Sequence, residues 1–259
     1  LFTLKKTLHF SQMLAALILG SAGNTWANEG ATVAIEDLPL TDLMQIEVSS
    51  VSRKSQTLSK TAAAVFVITQ EDIRRSGASS IPEALRLAPG LEVAQIGAST
   101  WAITSRGFNG QYANKLLVLM DGRTVYSPLF SGVFWNRQDA MMEDIDHIEV
   151  IRGPGAAMWG SNAVNGVINI ITKKTKDTRG NLAVAGAGNQ QRGFAGFRHG
   201  GQFGNNGNCR VYGKGFERNN LVSASGQSQD DAWRSGQLGF RMDIGISSDD
   251  RVTLQGDAH

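Results

Sequence analysis

The sequence has too little cysteine for a disulfide framework and no apolar run long enough for a membrane-spanning helix. Cys209 is the one cysteine, so no internal disulfide can form. The apolar run from Met13 to Leu19 falls far short of the roughly 20 residues that a spanning helix needs, and no later stretch is longer. A disulfide-stapled scaffold is therefore excluded, and a protein built from several membrane-spanning helices does not fit.

The motifs of common catalytic sites are also missing. Neither H-E-x-x-H nor G-x-S-x-G occurs, and the glycine spacing of residues 155–160 is followed by Ser161 where a phosphate-binding loop needs lysine. The net charge of +2 is small and its cations are dispersed, which argues against nucleic acid as a partner. We therefore predict no catalytic residue, metal ligand or cofactor. The histidines are scattered along the chain: His9, His147, His199 and His259.

The N-terminus contains the three parts of a secretory signal. Lys5 and Lys6 precede the apolar run, and Thr25-Trp26-Ala27 is typical of a cleavage site. This pattern predicts a signal peptide over residues 1–27, with a membrane anchor as the weaker alternative. An exported chain without a helical anchor can be periplasmic, secreted or a barrel protein of the outer membrane.

Residues 62–174 have the pattern of a mixed α/β unit. Thr69 precedes an acidic first turn and predicts a helix to Ser76 that Gly77 ends, and Ser80 is predicted to cap a second helix that Pro89 and Gly90 end. Six apolar segments predict strands: 64–69, 91–96, 101–106, 116–120, 145–151 and 167–172. The pair Asp121-Gly122 predicts a tight turn after the fourth of these strands.

Beyond Lys174 polar and apolar residues alternate between clusters of Gly, Asn and Asp. Residues 237–246 show this most clearly, because Leu238, Phe240 and Met242 share one face of a strand while Gln237 and Arg241 share the other. Weaker versions occupy 182–187, 194–199, 210–217 and 252–255. A transmembrane barrel and a soluble antiparallel sheet with one wet face both give this pattern, so both remain open here.

Several ordered motifs carry a family resemblance. Residues 146–155 read DHIEVIRGPG and residues 159–172 read WGSNAVNGVINIIT, preceded in order by ALRLAPGL at 84–91, SRGF at 105–108 and LVLMDGR at 117–123. Over roughly residues 40–172 the chain resembles the plug domain of TonB-dependent outer-membrane receptors.

The resemblance implies an α+β plug domain, which is a small mixed sheet with short helices, followed by the first strands of an antiparallel transmembrane β-barrel. The expected organisation is a signal peptide at 1–27, a flexible leader at 28–61, the plug at 62–174 and barrel strands at 175–259. Residues 175–259 hold roughly five strands, whereas closed barrels have about eight or more. We therefore expect the chain to be a truncated receptor.

A short segment of the leader is our candidate for the TonB box, which a TonB-type periplasmic energy-coupling protein grips. An extended segment can add as a strand to a partner's sheet, where main-chain hydrogen bonds supply the affinity. An ordinary linker with β propensity is the alternative. The segment comprises Ile46, Glu47, Val48, Ser49, Ser50, Val51 and Ser52.

Two plug arginines are candidate contacts with the barrel wall. Arg106 and Arg152 each follow an apolar strand and precede a glycine. At such a position a guanidinium can leave the core and meet a carboxylate. The resemblance implies contacts with acidic barrel residues, and simple capping of strand ends in solvent is the alternative.

Two loops at the outer end of the plug are candidate ligand contacts, namely residues 97–101 and 126–135. Clustered aromatic rings suit a planar or aromatic ligand such as a siderophore, although they could equally pack against the barrel wall. The candidate residues are Trp101, Tyr126, Phe130, Phe134 and Trp135.

The expected function is energy-coupled uptake of a scarce ligand, such as a metal chelate, by a receptor in contact with outer-membrane lipid. A ferric siderophore is the expected ligand, with haem, cobalamin and copper left open. The alternatives are a periplasmic plug-type binding or signalling module and a truncated remnant without transport.

Overall fold

Two five-stranded β-sheets account for most of the described structure. The computed structural model describes residues 47–48, 56–57, 64–107, 109–112, 114–153, 159–160, 162–247 and 250–259. The predicted signal peptide and most of the predicted leader lie outside these residues. None of the described helices is long and apolar enough to cross a membrane.

Residues 64–172, called the mixed domain below, contain the first sheet. Its helices are α1 (Gln70–Ser76) and α2 (Ile81–Leu85). The strands up to the end of this domain are β1 (Glu47–Val48), β2 (Gln56–Thr57), β3 (Val65–Thr69), β4 (Leu91–Gly97), β5 (Thr100–Ser105), β6 (Leu116–Met120), β7 (Arg123–Thr124), β8 (Tyr126–Ser127), β9 (Gly132–Val133), β10 (Ile145–Arg152) and β11 (Gly166–Thr172).

The strands of the first sheet lie in the order β3-β10-β11-β6-β7. Strands β11 and β6 are parallel, and the other neighbours are antiparallel.

Helix α1 begins and ends at the residues that the sequence predicts. The Thr69 hydroxyl accepts a hydrogen bond from the Asp72 amide at 3.2 Å, and the Asp72 carboxylate accepts one from the Thr69 amide at 2.8 Å. Gly77 ends the helix in the left-handed conformation, with φ of 67°. Local signals therefore determine this helix.

Helix α2 begins where it is predicted, with Ser80 at its N-cap position, but it ends at Leu85, before the predicted end at Pro89 and Gly90. The Ser80 side chain makes no cap hydrogen bond. Instead, Glu83 accepts hydrogen bonds from the Ser79 amide and the Ser79 hydroxyl, both at 2.8 Å. Pro82, the second residue of the helix, has no N–H, so one of the two amides that an N-cap side chain can bond is absent.

Apolar residues cover both faces of the mixed sheet. The larger cluster packs α1, α2 and the β4–β5 hairpin against one face and includes Ile68, Leu85 and Ile148. A smaller cluster on the other face includes Leu117 and Val167. Burial on both faces is expected for strands that read as continuous apolar runs.

The antiparallel sheet follows the mixed domain and pairs each strand with its sequence neighbour. Its strands are longer than predicted, because glycine hides the alternation at their ends. They are β12 (Gly180–Gly186), β13 (Gln191–Phe203), β14 (Gly207–Arg218), β15 (Trp233–Gly245) and β16 (Arg251–Ala258).

The polarity of this antiparallel sheet is inverted relative to a soluble sheet. Gln237 is 3% exposed and faces the mixed domain, whereas its neighbour Leu238 is 69% exposed on the opposite face. A soluble sheet would bury its apolar face, so the soluble alternative does not fit. Strands of transmembrane barrels have this apolar-out, polar-in pattern. The exposed apolar residues of the outward face include Phe197, Val211, Leu238, Phe240, Val252 and Leu254.

The two ends of the antiparallel sheet differ in their connections. Residues 219–232 form the longest connection, and they share one end with the 187–190 connection; we call this the long-loop end. The chain enters the sheet at the opposite end through a 3-10 turn, Thr175–Thr178. This turn crosses β13 at Gly200, where a Cβ would collide with the carbonyl of Thr178. The close approach therefore requires glycine.

Candidate interface between the mixed domain and the antiparallel sheet

One strand of the antiparallel sheet supplies a regular row of cations to the interface. Arg210, Lys214 and Arg218 recur every fourth residue on β14 and form what we call the β14 cation row. A spacing of four places all three on one face of a strand. Each meets a carboxylate from a different part of the mixed domain, so the row pairs with the domain along the strand's length.

The first member of the row is deeply buried with a second arginine. Asp144 accepts a hydrogen bond from Arg198 of β13 and lies 3.6 Å from the Arg210 guanidinium. Arg210 also donates to the carbonyl of Lys173 at 2.7 Å and to the hydroxyl of Thr172 at 3.0 Å. Such additional bonds offset the cost of removing these charges from water.

The second member of the row lies midway along the strand. The Lys214 ammonium lies 2.7 Å from the Asp139 carboxylate and donates to the Ala140 carbonyl at 2.6 Å. The side chain of Gln237 on β15 reaches the same segment and donates to the Asp139 carbonyl at 3.1 Å. Two adjacent strands therefore hold one short segment of the mixed domain.

The third member of the row is packed against aromatic rings at the long-loop end. The Arg218 guanidinium lies 3.3 Å from Glu83 of α2 and donates to the Ser79 hydroxyl at 3.3 Å. It also lies 5.4 Å from the ring centroid of Phe216 and 5.5 Å from that of Trp233. A cation between rings and a carboxylate is both paired and desolvated, which strengthens these contacts.

A further ionic contact lies near the chain's entry into the antiparallel sheet. The Arg241 guanidinium of β15 lies 3.3 Å from Asp121 and 3.2 Å from Asp243. Asp243 accepts hydrogen bonds from the Thr175 amide at 2.9 Å and from the Thr175 hydroxyl at 2.8 Å. The connecting turn is thus held by the sheet that it leads into.

Arg106 and Arg152 bond to backbone carbonyls of the mixed domain. Arg106 donates to the carbonyl of Arg152 at 3.5 Å, and Arg152 donates to the carbonyl of Pro89 at 3.4 Å. Neither forms an ion pair with a carboxylate among the described residues. In the ion pairs described above, the antiparallel sheet supplies the cations and the mixed domain supplies the carboxylates.

Part of the predicted partner-binding segment forms strand β1. Glu47 and Val48 pair antiparallel with β2, with Val48 opposite Gln56. The Val48 side chain is only 2% exposed. The other predicted residues of the segment, Ile46 and 49–52, lie outside the described residues.

The five aromatic residues predicted to contact ligand separate into two groups. Trp101 and Trp135 are 3% and 8% exposed in the domain core, so the prediction of ligand contact is wrong for them. Their apolar rings gain more from burial than from exposure in a loop. Tyr126 is half-buried in β8, where it pairs with Val133.

The remaining predicted aromatic residues form an accessible cluster. The ring of Phe130 lies edge-on to Phe134, with centroids 4.1 Å apart, and also contacts Tyr112 at 5.2 Å. Phe134 and Tyr112 are exposed, and the neighbouring Leu129 is 87% exposed. Sequence reasoning missed Tyr112 because it stands between Gln111 and Ala113, well before the aromatic loop.

Sequence reasoning also missed the charges of the interface. Alternate residues of a strand lie on opposite faces, and this rule would have placed Arg210, Lys214 and Arg218 together. Val211 and Gly213 fall on the other face. No local signal marks the partners Glu83, Asp139 and Asp144. They are recognised only once the fold brings distant segments together.

A cluster of polar side chains on the mixed sheet includes one histidine, His147 of β10. His147 contacts Asp146 through Nδ1 at 2.6 Å and Glu149 through Nε2 at 3.2 Å. Burial lowers the pKa of His147, but hydrogen bonds to the two carboxylates outweigh burial and raise that pKa to about 9. The imidazole is therefore protonated at neutral pH.

Comparison with a family model identifies the mixed domain. The model described as TonB-dependent Receptor Plug Domain matches residues 57–167. This range includes α1, α2 and the strands from β3 to the start of β11.

Comparisons with whole proteins give transporters and receptors. Vitamin B12 transporter BtuB of Vibrio vulnificus (strain CMCP6) is 34% identical over 172 residues, which are 66% of this chain and 27% of that transporter. BtuB of Vibrio cholerae serotype O1 (strain ATCC 39541 / Classical Ogawa 395 / O395) is 35% identical over 141 residues, which are 54% of this chain and 23% of that protein. The chain thus spans about a quarter of the length of these relatives.

Solved structures share the fold. The pyoverdine outer membrane receptor FpvA from Pseudomonas aeruginosa PAO1, bound to pyoverdine, superposes with a TM-score of 0.65 at 18% identity, over 82% of this chain and 29% of that receptor. The siderophore receptor PirA from Pseudomonas aeruginosa gives a TM-score of 0.52 at 26% identity, over 76% of this chain and 35% of that receptor.

Proposed function

This chain belongs to the TonB-dependent outer-membrane receptors and carries their plug domain, and from that premise we propose that it serves energy-coupled uptake of a scarce ligand. The inverted sheet carries the proposal. Its polar face pairs with plug carboxylates, and its apolar face, which includes Leu238, is left for lipid. This arrangement suits a domain held inside the polar lumen of a membrane protein.

The ligand is proposed to be a metal chelate. Ferric siderophores are supported by the receptor structures that share the fold, and the accessible aromatic cluster of Tyr112, Phe130 and Phe134 suits a planar ligand. Cobalamin is the second candidate, because the relatives with the higher sequence identity are vitamin B12 transporters. Longer connections of outer-membrane barrels face the cell exterior, so the long-loop end is the proposed ligand side.

The proposed partner is a TonB-type periplasmic protein that pairs with the segment from Ile46 to Ser52. Strand β1 lies in this segment and is already paired with β2. The partner would pair with main-chain groups of β1. It could add to the edge of β1 that faces away from β2, or it could displace β2. The segment's identity as a TonB box therefore depends on its backbone more than on its side chains.

Arg106 and Arg152 are proposed to hold the plug in the complete receptor. Both lie at ends of plug strands, and both are held in place by backbone carbonyls of the plug. Loss of Arg152 in an intact receptor should loosen the plug. Unchanged hydrogen-exchange protection of the plug in an Arg152→Ala receptor would contradict this role.

Uptake by Gram-negative cells that produce this chain tests the proposal. We expect the chain in the outer-membrane fraction, together with cell-associated radiolabelled cyanocobalamin or ferric enterobactin that an uncoupler of the proton-motive force lowers. Val48→Pro removes a backbone donor and should abolish the energy-dependent part, whereas Val48→Ala keeps the donor and should retain it.

Other outcomes would favour the alternatives. Recovery in the soluble periplasmic fraction with ligand bound would favour a plug-type binding or signalling module. Outer-membrane recovery with binding but without energy-dependent accumulation would favour a remnant without transport. Equal uptake by Val48→Pro and wild type would contradict the assignment of the partner segment.

A further inference from the structure

A carboxylate of the antiparallel sheet caps a backbone amide at the plug's outer turn. Asp231, at the end of the 219–232 connection, accepts a hydrogen bond from the Ala98 amide through Oδ2 at 2.7 Å. Ala98 lies in the turn between β4 and β5 and is 1% exposed. The turn that the sequence suggested for ligand contact is therefore already bonded to an anionic oxygen.

Asp231 is itself held firmly within its own connection. Its Oδ1 accepts a hydrogen bond from the Leu221 amide at 2.9 Å, and its own amide donates to Asn220 Oδ1 at 3.0 Å. A second contact joins the same two regions, because Gln190 donates to Gln95 Oε1 at 3.0 Å. The carboxylate is thus aimed at the plug turn by a local network.

The base of this connection is fixed to the plug as well. Arg218 and Trp233 are cross-strand partners at the ends of β14 and β15, and the Arg218 guanidinium contacts Glu83 of α2. Asp231 lies two residues before Trp233, so little chain separates the fixed base from the contact with Ala98. Movement of Asp231 away from the turn therefore involves mainly the 219–232 connection.

We propose that the Ala98 amide is a subsite for an oxygen anion, and that the Asp231 carboxylate occupies it as an internal stand-in for the ligand's anionic group. The proposal rests on the proposed function, because it assigns ligand binding to this end of the plug. A ligand carrying a carboxylate, phosphate, catecholate or hydroxamate oxygen replaces Asp231 at Ala98 and releases the 219–232 connection.

The exchange is energetically reasonable. A hydrogen bond to a charged group is stronger than one to a neutral group, so an unpaired Ala98 amide would be costly at this buried position. Replacement of one anionic oxygen by another preserves that bond. A ligand then needs only its remaining contacts to displace Asp231. Its apparent affinity equals its affinity for the open molecule multiplied by the fraction of molecules in which the 219–232 connection is open.

Hydrogen exchange in the full chain tests the subsite without a known ligand. Asp231→Ala should accelerate amide exchange in residues 97–100, and acetate at constant ionic strength should restore protection, because it supplies the missing carboxylate. Chloride should not restore it. Asp230→Ala is the matched control, since Asp230 is exposed and adjacent, and it should leave exchange unchanged. Asp231→Asn keeps the shape and one acceptor and should give an intermediate rate.

Ligand binding then tests the displacement. Cyanocobalamin and ferric enterobactin serve as probes, and the one that binds wild type should bind Asp231→Ala up to about tenfold more tightly, because the competitor is gone. Unchanged exchange in Asp231→Ala, failure of acetate to restore protection, or weaker probe binding by this variant overturns the subsite. Rescue by acetate without binding of either probe to any variant supports the subsite and contradicts the proposed uptake function instead.

Discussion

Asp144 of the plug pairs with Arg198 of β13 across 54 residues of sequence; Asp144 is buried, and Arg198 is mostly buried. Arg210 lies against the same carboxylate at 3.6 Å. One plug carboxylate therefore neutralises two arginines from adjacent strands. Removal of the Asp144 charge therefore affects both arginines at once.

Asp144→Asn should destabilise the folded chain strongly. The substitution keeps the size of the side chain but leaves two buried guanidinium groups without an anion, which costs about 3–5 kcal/mol. The free energy of unfolding in phospholipid vesicles, from urea titration, measures the effect.

An exposed ion pair provides the matched control for this prediction. Glu217 contacts Arg192 and Arg234 at 3.5 and 3.4 Å, with both arginine side chains mostly exposed. Glu217→Gln should cost less than about 1 kcal/mol. Equal losses of unfolding free energy in the two variants would show that the buried charge of Asp144 stabilises the fold no more than the exposed charge of Glu217.

Lys214, the middle residue of the β14 cation row, pairs with Asp139, and exchange of the two charges should recover stability that each single substitution removes. Lys214→Glu and Asp139→Lys should each place like charges at the contact that now measures 2.7 Å, and each should lower the free energy of unfolding. The double variant restores opposite charges, so it should recover part of the loss. A double-mutant cycle should give a coupling energy of about 0.5–3 kcal/mol, and additive losses would contradict direct pairing.

Local signals explain which elements the sequence predicts well. The sequence predicts helix α1 to its last residue, because Thr69 and Gly77 each mark one end through contacts with nearby residues. Strand β6 was predicted with its bounds, since a short apolar run stops at the Asp121-Gly122 turn. The alternation in β15 also correctly assigned Leu238 and Gln237 to opposite faces.

Long-range packing explains what the sequence could not predict. The Glu83 carboxylate bonds the Ser79 amide just before α2, and it also pairs with Arg218 from far along the chain. Trp101 and Trp135 looked like loop aromatics but fill the core. The order of strands in the mixed sheet, with β10 and β11 between β3 and β6, follows from tertiary pairing rather than from any segment alone.

His147 predicts a pH dependence of plug stability. Its pKa is about 9 in the folded chain, above the ordinary value of 6.5. A raised pKa means that the stabilisation is complete below about pH 6.5 and is lost as the pH rises through about 9. The loss should be on the order of 1–3 kcal/mol. The other charged groups that act on this cluster are Asp146, Glu149, Lys173 and Lys174.

Two measurements check the histidine. An NMR titration should place the imidazole pKa near 9, and unfolding titrations between pH 6 and 10 should show the decline of the free energy of unfolding. His147→Gln should flatten that decline, whereas His199→Gln, on the antiparallel sheet, should preserve it. A wild-type stability that does not change over this range would contradict the assignment.

Substitutions of Asp121 can distinguish its role in the turn from the role of its charge. It begins the turn after β6 with φ of 48°, and its carboxylate accepts hydrogen bonds from the Thr172 amide at 2.8 Å and the Thr172 hydroxyl at 2.9 Å. Arg241 lies 3.3 Å from the same carboxylate. Asp121→Gly tolerates the positive φ but removes all these acceptors, so it should cost about 1.5–3 kcal/mol.

Asp121→Asn identifies which part of the loss is ionic. Asparagine also tolerates the left-handed conformation and keeps one acceptor for Thr172, but it removes the charge that faces Arg241. We therefore expect a smaller loss than in Asp121→Gly, together with weaker protection of the Arg241 region in hydrogen exchange. If both variants lost equal stability, the Thr172 bonds would contribute little and the contact between Asp121 and Arg241 would account for the effect.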